Sequence, residues 1–242
     1  MKTLGNSDIG KIRQNNEDAF RFGSFDDGVT WAVVCDGMGG AAGGQIASTI
    51  AADMVGKKIE KCYNKSMSEG SIENMLLSAI TTANVTVYDR AISDDFLSGM
   101  GTTIVCAVIK NSVASIAHVG DSRAYLIQDG RLRLLTKDHS LVQEMLDNGQ
   151  ITEEEFEHHP VKNIITRALG VSEQVEIEFD SVELKKGDVL FLCTDGLSGS
   201  VSKDEMLEIY QAYPFDQFTA KLIERANNAG GNDNITVVAV QA

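Results

Sequence analysis

The chain has 242 residues, of which 43% are hydrophobic and 23% charged, a composition typical of globular proteins. Its formal net charge of -14, without any cluster of Lys or Arg, argues against nucleic acid or an anionic membrane surface as a partner. No run of about 18 apolar residues could cross a bilayer, and the N-terminus lacks the apolar core of a signal peptide. We therefore expect a cytoplasmic protein without a membrane span.

Hydrophobic periodicity and turn signals predict the elements in chain order. The first part contains strands Ala19–Phe25 and Val29–Cys35, the glycine-rich loop Gly37–Gly44, and helices Gln45–Tyr63 and Ser71–Ser93. Four strands joined by short turns follow and predict an antiparallel meander: Thr102–Lys110, Ser112–Val119, Ala124–Gln128 and Arg131–Thr136. The last part contains helices Leu141–Asn148 and Thr152–His158, strands Glu176–Glu183 and Asp188–Cys193, helices Lys203–Gln211 and Asp216–Asn228, and strand Ile235–Gln241. This order predicts two packed sheets with helix pairs outside them.

Residues 141–170 resemble an insertion between strands, because the segment is polar, helical in its first half and bordered by glycine. Such excursions often carry function. We expect a mobile flap beside the functional site.

The cysteines indicate neither a disulfide framework nor a zinc site. They are widely spaced, without a Cys-x-x-Cys pair: Cys35, Cys62, Cys106 and Cys193. Three of them lie inside apolar strand-like runs, which favours buried core residues. His118 and His139 are interpreted in the same way, as structural residues of the sheets and turns.

Apolar strands repeatedly deliver an aspartate at their C-terminal ends. Three runs end in Asp36, Asp121 and Asp195, each beside glycine, and Asp233 precedes the last strand. A single Asp-Gly is usually a turn, but buried carboxylates are costly unless they are paired. If the strands before Asp36 and Asp195 are neighbours in one sheet, both carboxylates emerge at the same edge. Oxygen ligands select hard ions such as Mg²⁺ or Mn²⁺, and a pair about 4 Å apart suits displacement at phosphorus.

Charged residues near the N-terminus suit the same chemistry. Arg13 can bind two phosphate oxygens at once. Glu17 and Asp18 could hold metal-bound waters. No Cys is followed by Arg six positions later and no Asp-x-Asp pair occurs, so water activated by metal is the expected nucleophile.

The glycine-rich loop supports a rival interpretation. Residues 37–42 fit the G-x-G-x-x-G/A dinucleotide pattern between a strand and a helix. However, Asp36 would place a negative charge beside the pyrophosphate, and the following helix leads to another helix instead of a parallel strand. No Lys-Ser or Lys-Thr follows to make a Walker loop. The dinucleotide interpretation is therefore disfavoured.

Eight runs, in chain order, resemble the motif series of the PPM-type (type-2C) metal-dependent serine/threonine protein phosphatases, and most closely their bacterial single-domain branch. They are GKIRQNNEDAF, VVCDGMGG, GMGTTIVCAV, HVGDSRAYL, KDHSLVQEM, HPVKNIITRALG, LFLCTDGL and GGNDNITVV. The resemblance implies an α+β fold, an αββα four-layer sandwich of two mainly antiparallel sheets flanked by helix pairs. It also implies one domain over residues 1–242, within which the flap expected above occupies about residues 141–170.

The resemblance implies a site with two core ions, Mn²⁺ or Mg²⁺, and a third ion as in bacterial relatives. By that likeness Asp36 bridges both core ions and the Gly37 carbonyl ligates one of them. Asp195 and Asp233 complete the other core site. Asp121, together with Asp195, would hold the third ion. In the same way, the N-terminal arginine named above, Arg13, would bind the substrate phosphate.

The implied activity is hydrolysis of phosphoserine and phosphothreonine on proteins, opposed by a cognate serine/threonine kinase, and we expect a monomer. The sequence departs from the family at Met38 and Ala41, where animal and bacterial relatives respectively carry histidine, so no general acid is evident near Asp36.

Two alternatives to a phosphatase are a non-catalytic regulator of the same fold and a cation-sensing module. Phosphate release from a phosphothreonine peptide, with Mn²⁺ and with chelator, separates the three.

Overall fold

The computed structural model describes residues 1–39 and 43–242, in which groups of strands are separated by groups of helices. The strands are β1 Lys2–Asp8, β2 Ala19–Ser24, β3 Thr30–Cys35, β4 Gly37–Met38, β5 Gly101–Thr102, β6 Ile104–Lys110, β7 Val113–Val119, β8 Arg123–Gln128, β9 Arg131–Leu134, β10 Glu178–Glu183, β11 Val189–Cys193 and β12 Ile235–Gln241. The α-helices are α1 Gly43–Cys62, α2 Glu69–Ser93, α3 Leu141–Asp147, α4 Glu153–His158, α5 Asp195–Ser198, α6 Lys203–Ala212 and α7 Phe215–Asn228.

Two five-stranded antiparallel sheets carry the fold. The first has the order β1-β12-β11-β8-β9 and the second β10-β7-β6-β3-β2. A two-stranded ladder, β4 with β5, lies beside the second sheet and pairs Gly37 with Thr102.

The layers follow from which faces are apolar. Side chains such as Val34, Ile116 and Leu192 fill the space between the two sheets. Helices α1 and α2 cover the outer face of the second sheet, and α5, α6 and α7 cover the outer face of the first. This arrangement confirms the α+β class and the helix–sheet–sheet–helix order, because every central strand is covered on both faces.

The central strands are apolar throughout because both of their faces are buried. All six residues of β3 and all five of β11 are buried, so neither strand shows the alternation of a half-exposed sheet. Helix α1 packs against α2, and its buried residues include the small side chains of Ala47, Ala51 and Ala52.

The condition considered for Asp36 and Asp195, that their strands are neighbours in one sheet, is not met. The strands that precede Asp36 and Asp195, β3 and β11, lie in different sheets and face each other across the core. A continuous apolar run shows that a strand is buried on both faces, but it does not show which strands flank it. The two carboxylates still meet, because both strands end on the same side of the sandwich.

The predicted four-strand meander was wrong. Strand β7 pairs with β6, and β8 pairs with β9, but the chain crosses from the second sheet to the first between β7 and β8. The crossing point is the turn that contains Gly120 and Asp121. This crossing places Asp121 between the ends of the two sheets.

Strand β1 and helix α5 were not predicted. Strand β1 has only Leu4 as a large apolar residue and is an edge strand, held by its pairing with β12. Helix α2 begins two residues earlier than expected because the Ser68 hydroxyl accepts from the backbone N–H of Ser71 and caps the helix.

Residues 141–170 contain α3, α4 and turns between β9 and β10. Isolated bridges tie Ser140 to Ile165 and Thr102 to Leu169. Residues 40–42 of the predicted glycine loop lie outside the described residues. Within the described ranges, no helix is long and apolar enough to span a bilayer.

Candidate metal centre

The carboxyl groups of Asp36 and Asp195 lie close together at one end of the sandwich. Asp36 directly follows β3, and Asp195 is the first residue of α5, separated from the end of β11 by one residue. Both are partly buried. The end of each sheet therefore contributes one carboxylate to the same point.

The predicted acidic residues are close enough to perturb one another. Burial raises the pKa of Asp36 well above its usual range, and the charges of Asp18, Asp195, Asp121 and Asp233 raise it further. Burial likewise raises the pKa of Asp195, with Asp233 as the next cause. Burial raises the pKa of Asp121 to about 7, and Asp195 adds to it. All four predicted aspartate ligands therefore belong to one electrostatic cluster.

Asp18 belongs to the same cluster. The Thr194 hydroxyl donates to its Oδ2 at 2.9 Å, whereas its Oδ1 is buried and finds no hydrogen-bond partner among the described residues. Burial raises the pKa of Asp18 to about 7, and the charges of Asp195 and Asp233 also raise it. A buried carboxylate oxygen without a donor suits a cation or a cation-bound water.

Arg13 reaches the cluster from the exposed N-terminal loop. Its guanidinium donates to Oδ2 of Asp233 at 2.7 Å, and this hydrogen bond raises the pKa of Arg13. The other oxygen, Oδ1, accepts from the backbone N–H of Asn234 at 2.8 Å. The Arg13 side chain is about half exposed (51%), so a ligand from solvent can reach it.

Gly37 occupies a position that no other residue could fill. A Cβ at Gly37 would overlap the carbonyl of Gly44 and lie 2.5 Å from the Glu17 carbonyl oxygen. The Gly37 N–H donates to that Glu17 oxygen at 3.2 Å. The glycine therefore lets β4, α1 and the N-terminal loop converge beside Asp36. Burial raises the pKa of the half-buried Glu17 carboxyl.

Two threonines that were not predicted hold the backbone of Asp36. Its N–H donates to Oγ1 of Thr103 at 3.0 Å, and its carbonyl accepts from the Thr102 hydroxyl at 2.8 Å and from the Thr103 N–H at 2.9 Å. The Thr103 hydroxyl also pairs with that of Ser122 at 2.7 Å. The run GMGTT could have predicted these contacts, because threonine hydroxyls next to a tight turn often bind backbone groups.

Asn234 was also missed, although it joins the last strand to the N-terminal loop. Its side-chain amide donates to the carbonyls of Ile9 and Asn15, both at 3.0 Å. Its Oδ1 accepts from the N–H of Glu17 at 2.8 Å. These bonds fix the loop that carries Arg13 against the residue next to Asp233.

The donor set fits hard divalent cations, because it consists of carboxylate and carbonyl oxygens. No three of the predicted carboxylates in the described chain place oxygens within 4.8 Å of one another; the one described trio that close is His118, His139 and Glu178. One of these carboxylates, that of Asp233, is engaged by the ion pair with Arg13.

Comparison with known proteins gives a consistent result. The model of the protein phosphatase 2C family matches residues 7–238. A serine/threonine phosphatase, Stp, of Listeria monocytogenes is 40% identical over 97% of this chain and 93% of its own length. The solved serine/threonine phosphatase of S. agalactiae is 37% identical and superposes with a TM-score of 0.92 over 100% of this chain and 99% of that one. The catalytic domain of PstP, solved in complex with two manganese ions, is 32% identical over 99% of this chain and 97% of that one, with a TM-score of 0.85.

The fold and the site define a metal-dependent phosphoprotein phosphatase. The chain belongs to the protein phosphatase 2C family, because the family model covers nearly its whole length and relatives of 37–40% identity align end to end.

Proposed function

We propose that the chain is a bacterial-type serine/threonine protein phosphatase that removes phosphate from phosphoserine and phosphothreonine with Mn²⁺ or Mg²⁺. The observation that carries this proposal is the meeting of Asp36 and Asp195 from facing sheets, beside Asp233 and an accessible Arg13. The Stp and PstP relatives and the manganese complex of PstP support it.

We assign Asp36 as the residue shared by two core ions, with the Gly37 carbonyl at one ion and Asp195 and Asp233 at the other. Asp121 and Asp195 would hold a third ion. When bound, the ions supply a nucleophilic water of lowered pKa and positive charge facing the phosphoryl oxygens.

The chain's own residues position these groups and the substrate. Thr102 and Thr103 fix the backbone of Asp36, so its carboxylate needs little reorganisation. Arg13 donates two N–H groups to phosphate oxygens and offsets their charge. Asp18, held by Thr194, adds a buried carboxylate near Asp195 and would accept from waters bound to the ions.

We propose further a partner, a location and an oligomeric state for the protein. A serine/threonine kinase of the same cell would supply the phosphorylated substrates, and we propose a cytoplasmic monomer with one domain over residues 1–242 and a flap at 141–170. The family match over residues 7–238 supports the single domain. Sedimentation of the purified chain and fractionation of cells test the monomer and the location.

Phosphate release from a phosphothreonine peptide tests the function. We expect turnover with Mn²⁺ and none with chelator, and Asp36→Asn and Asp195→Asn should each abolish it. Asp53→Asn is the matched control, because Asp53 pairs with Arg21 on the surface. Mn²⁺ binding without phosphate release by the unaltered chain would favour the regulator or the cation sensor, and near-normal rates in both site variants would refute the assignment.

A further inference from the structure

A compact cluster of ionisable groups lies beyond the proposed metal centre. His118, His139 and Glu178 place possible ligand atoms within 4.8 Å of one another. Both histidines are buried, and their rings stack with centroids 4.8 Å apart. Such a trio could bind a transition metal or could be a hydrogen-bonded network, and the contacts distinguish the two.

The hydrogen bonds favour a network. Nε2 of His118 lies 2.8 Å from the carbonyl oxygen of Lys137, and since a carbonyl only accepts, this nitrogen carries a proton. Nδ1 of His139 accepts from the N–H of Gly120 at 3.1 Å, so the proton of the neutral ring is on Nε2, which faces Oε1 of Glu178 at 3.1 Å. Both Nε2 atoms thus carry hydrogen and offer no free lone pair to a metal.

His139 is instead the junction of three segments. Its backbone N–H donates to the carbonyl of Gly120 at 3.0 Å, and its carbonyl accepts from the N–H of Thr166 at 2.8 Å. The Glu178 carboxylate, bonded to the His139 ring, also accepts from Arg167 at 3.2 Å. One histidine therefore connects the turn at Gly120 to the returning end of segment 141–170.

The turn at Gly120 carries Asp121 and cannot shift freely. Gly120 has a φ of +106°, and a Cβ there would lie 2.6 Å from Cγ2 of Thr103. Thr103 in turn accepts from the N–H of Asp36. The position of this turn is thus coupled to the backbone of two proposed metal ligands.

We propose that His139 and Glu178 form a positioning pair for the metal centre. Nδ1 of His139 fixes the turn that presents Asp121, while Nε2, Glu178 and Arg167 hold the end of segment 141–170 against that turn. This inference rests on the proposed function, which assigns Asp121 to an ion.

Two substitutions separate the two bonds of His139. In His139→Asn the amide oxygen can replace Nδ1 as the acceptor for Gly120, but nothing reaches Glu178. In His139→Gln the amide nitrogen can replace Nε2 as the donor to Glu178, but the Gly120 N–H loses its acceptor. Glu178→Ala removes the carboxylate, and Glu176→Ala is its matched control, because Glu176 binds the same Arg167 at 3.2 Å from an exposed position.

Mn²⁺ binding is measured by calorimetry and hydrogen exchange is measured over residues 141–170. Asp121→Asn serves as the reference for loss of the third ion. We expect His139→Gln to weaken the Asp121-dependent Mn²⁺ binding about tenfold, a typical effect of losing support for a ligand, while His139→Asn retains it. We expect His139→Asn and Glu178→Ala to raise exchange near Thr166 and Arg167 about tenfold, with Glu176→Ala unchanged.

The outcomes are distinguishable. Unchanged Mn²⁺ binding in Asp121→Asn would refute the assignment of Asp121 to an ion in the proposed function. The hydrogen-exchange result would still report whether His139 and Glu178 hold the end of segment 141–170. Normal Mn²⁺ binding in His139→Gln, with loss in Asp121→Asn, would overturn the positioning role. Equal hydrogen exchange in Glu178→Ala and Glu176→Ala would also overturn it. Stoichiometric Zn²⁺ binding that is lost in His139→Asn, His139→Gln and Glu178→Ala would show a metal site instead. Glu178 is 40% exposed, so its variant tests the pair even if a His139 variant fails to fold.

Discussion

Arg13 contacts Asp233 in the structure and is proposed to bind the substrate phosphate. The two roles predict different effects of its removal on Mn²⁺ binding and on substrate binding. The guanidinium holds the Asp233 carboxylate at 2.7 Å, and the same donors would bind substrate phosphate. We expect Arg13→Ala to raise the KM for a phosphothreonine peptide about ten- to a hundredfold, the range for a charged hydrogen bond, without weakening Mn²⁺ binding, because Arg13 competes with cations for Asp233.

Steady-state kinetics and Mn²⁺ calorimetry check this prediction for Arg13→Ala. Arg21→Ala is the control, since Arg21 is a similarly exposed arginine paired with a surface aspartate. An unchanged KM would argue against phosphate binding by Arg13, and a large loss of Mn²⁺ affinity would show that Arg13 supports the ligand set instead of competing with cations.

At the scale of residues, the sequence reveals the charged groups of the site better than the groups that hold them. Asp36 and Asp195 stand out because each ends a long apolar run. Asn234 and Thr103 act through bonds to backbone groups 217 and 67 positions away. A polar residue in a turn gives no local sign of such a distant partner.

At the scale of elements, the junction between β3 and β6 supports the centre through Thr103. Thr103→Val removes the acceptor for the Asp36 N–H and the partner of Ser122 while keeping the shape. We expect a loss of about 1–3 kcal/mol in the free energy of unfolding, together with weaker Mn²⁺ binding.

Thr30→Val is the matched control for Thr103→Val. Thr30 is also a buried threonine, but its hydroxyl meets Ser24 at the other end of β3. Urea unfolding and Mn²⁺ calorimetry are the measurements. Equal effects of both variants on Mn²⁺ affinity would show that only general stability is involved.

Segment 141–170 is the element whose behaviour the sequence describes least. Helix α3 buries one residue, Val142, whereas β6 buries six of its seven. We expect amides in residues 148–163 to exchange with solvent at least about a hundredfold faster than those of β6, because little burial opposes local opening. Equal protection of the two regions would contradict the predicted flap.

Prediction of elements succeeded where a segment's own residues decide its structure. Helices α1 and α7 and strand β12 follow from their periodicity and were found within two residues of the expected ends. Sheet membership was not predicted for β3 and β11, and β1 was missed, because pairing depends on partners far along the chain. Strand β1 is held by β12, more than 220 residues away.

At the scale of the whole molecule, the two sheets enclose an apolar interior and gather acidic groups at one end. The pKa values of Asp18 and Asp121 are raised from 3.8 to about 7 in the fold, mainly by burial. Folded protein stripped of divalent ions therefore binds more protons than unfolded chain between about pH 4 and 7. Its stability should fall as the pH rises through this window.

Mn²⁺ should reverse this dependence, because the metal binds deprotonated carboxylates. Mn²⁺ should raise the Tm at both pH values. We expect this increase to be several degrees larger at pH 7.5 than at pH 5.5. Asp121→Asn should shrink that difference, whereas Asp53→Asn on the surface should not. Thermal unfolding with Mn²⁺ and with chelator at both pH values measures it. A Mn²⁺ effect that is equal at both pH values, or larger at pH 5.5, would show that the buried carboxylates are not what the metal binds.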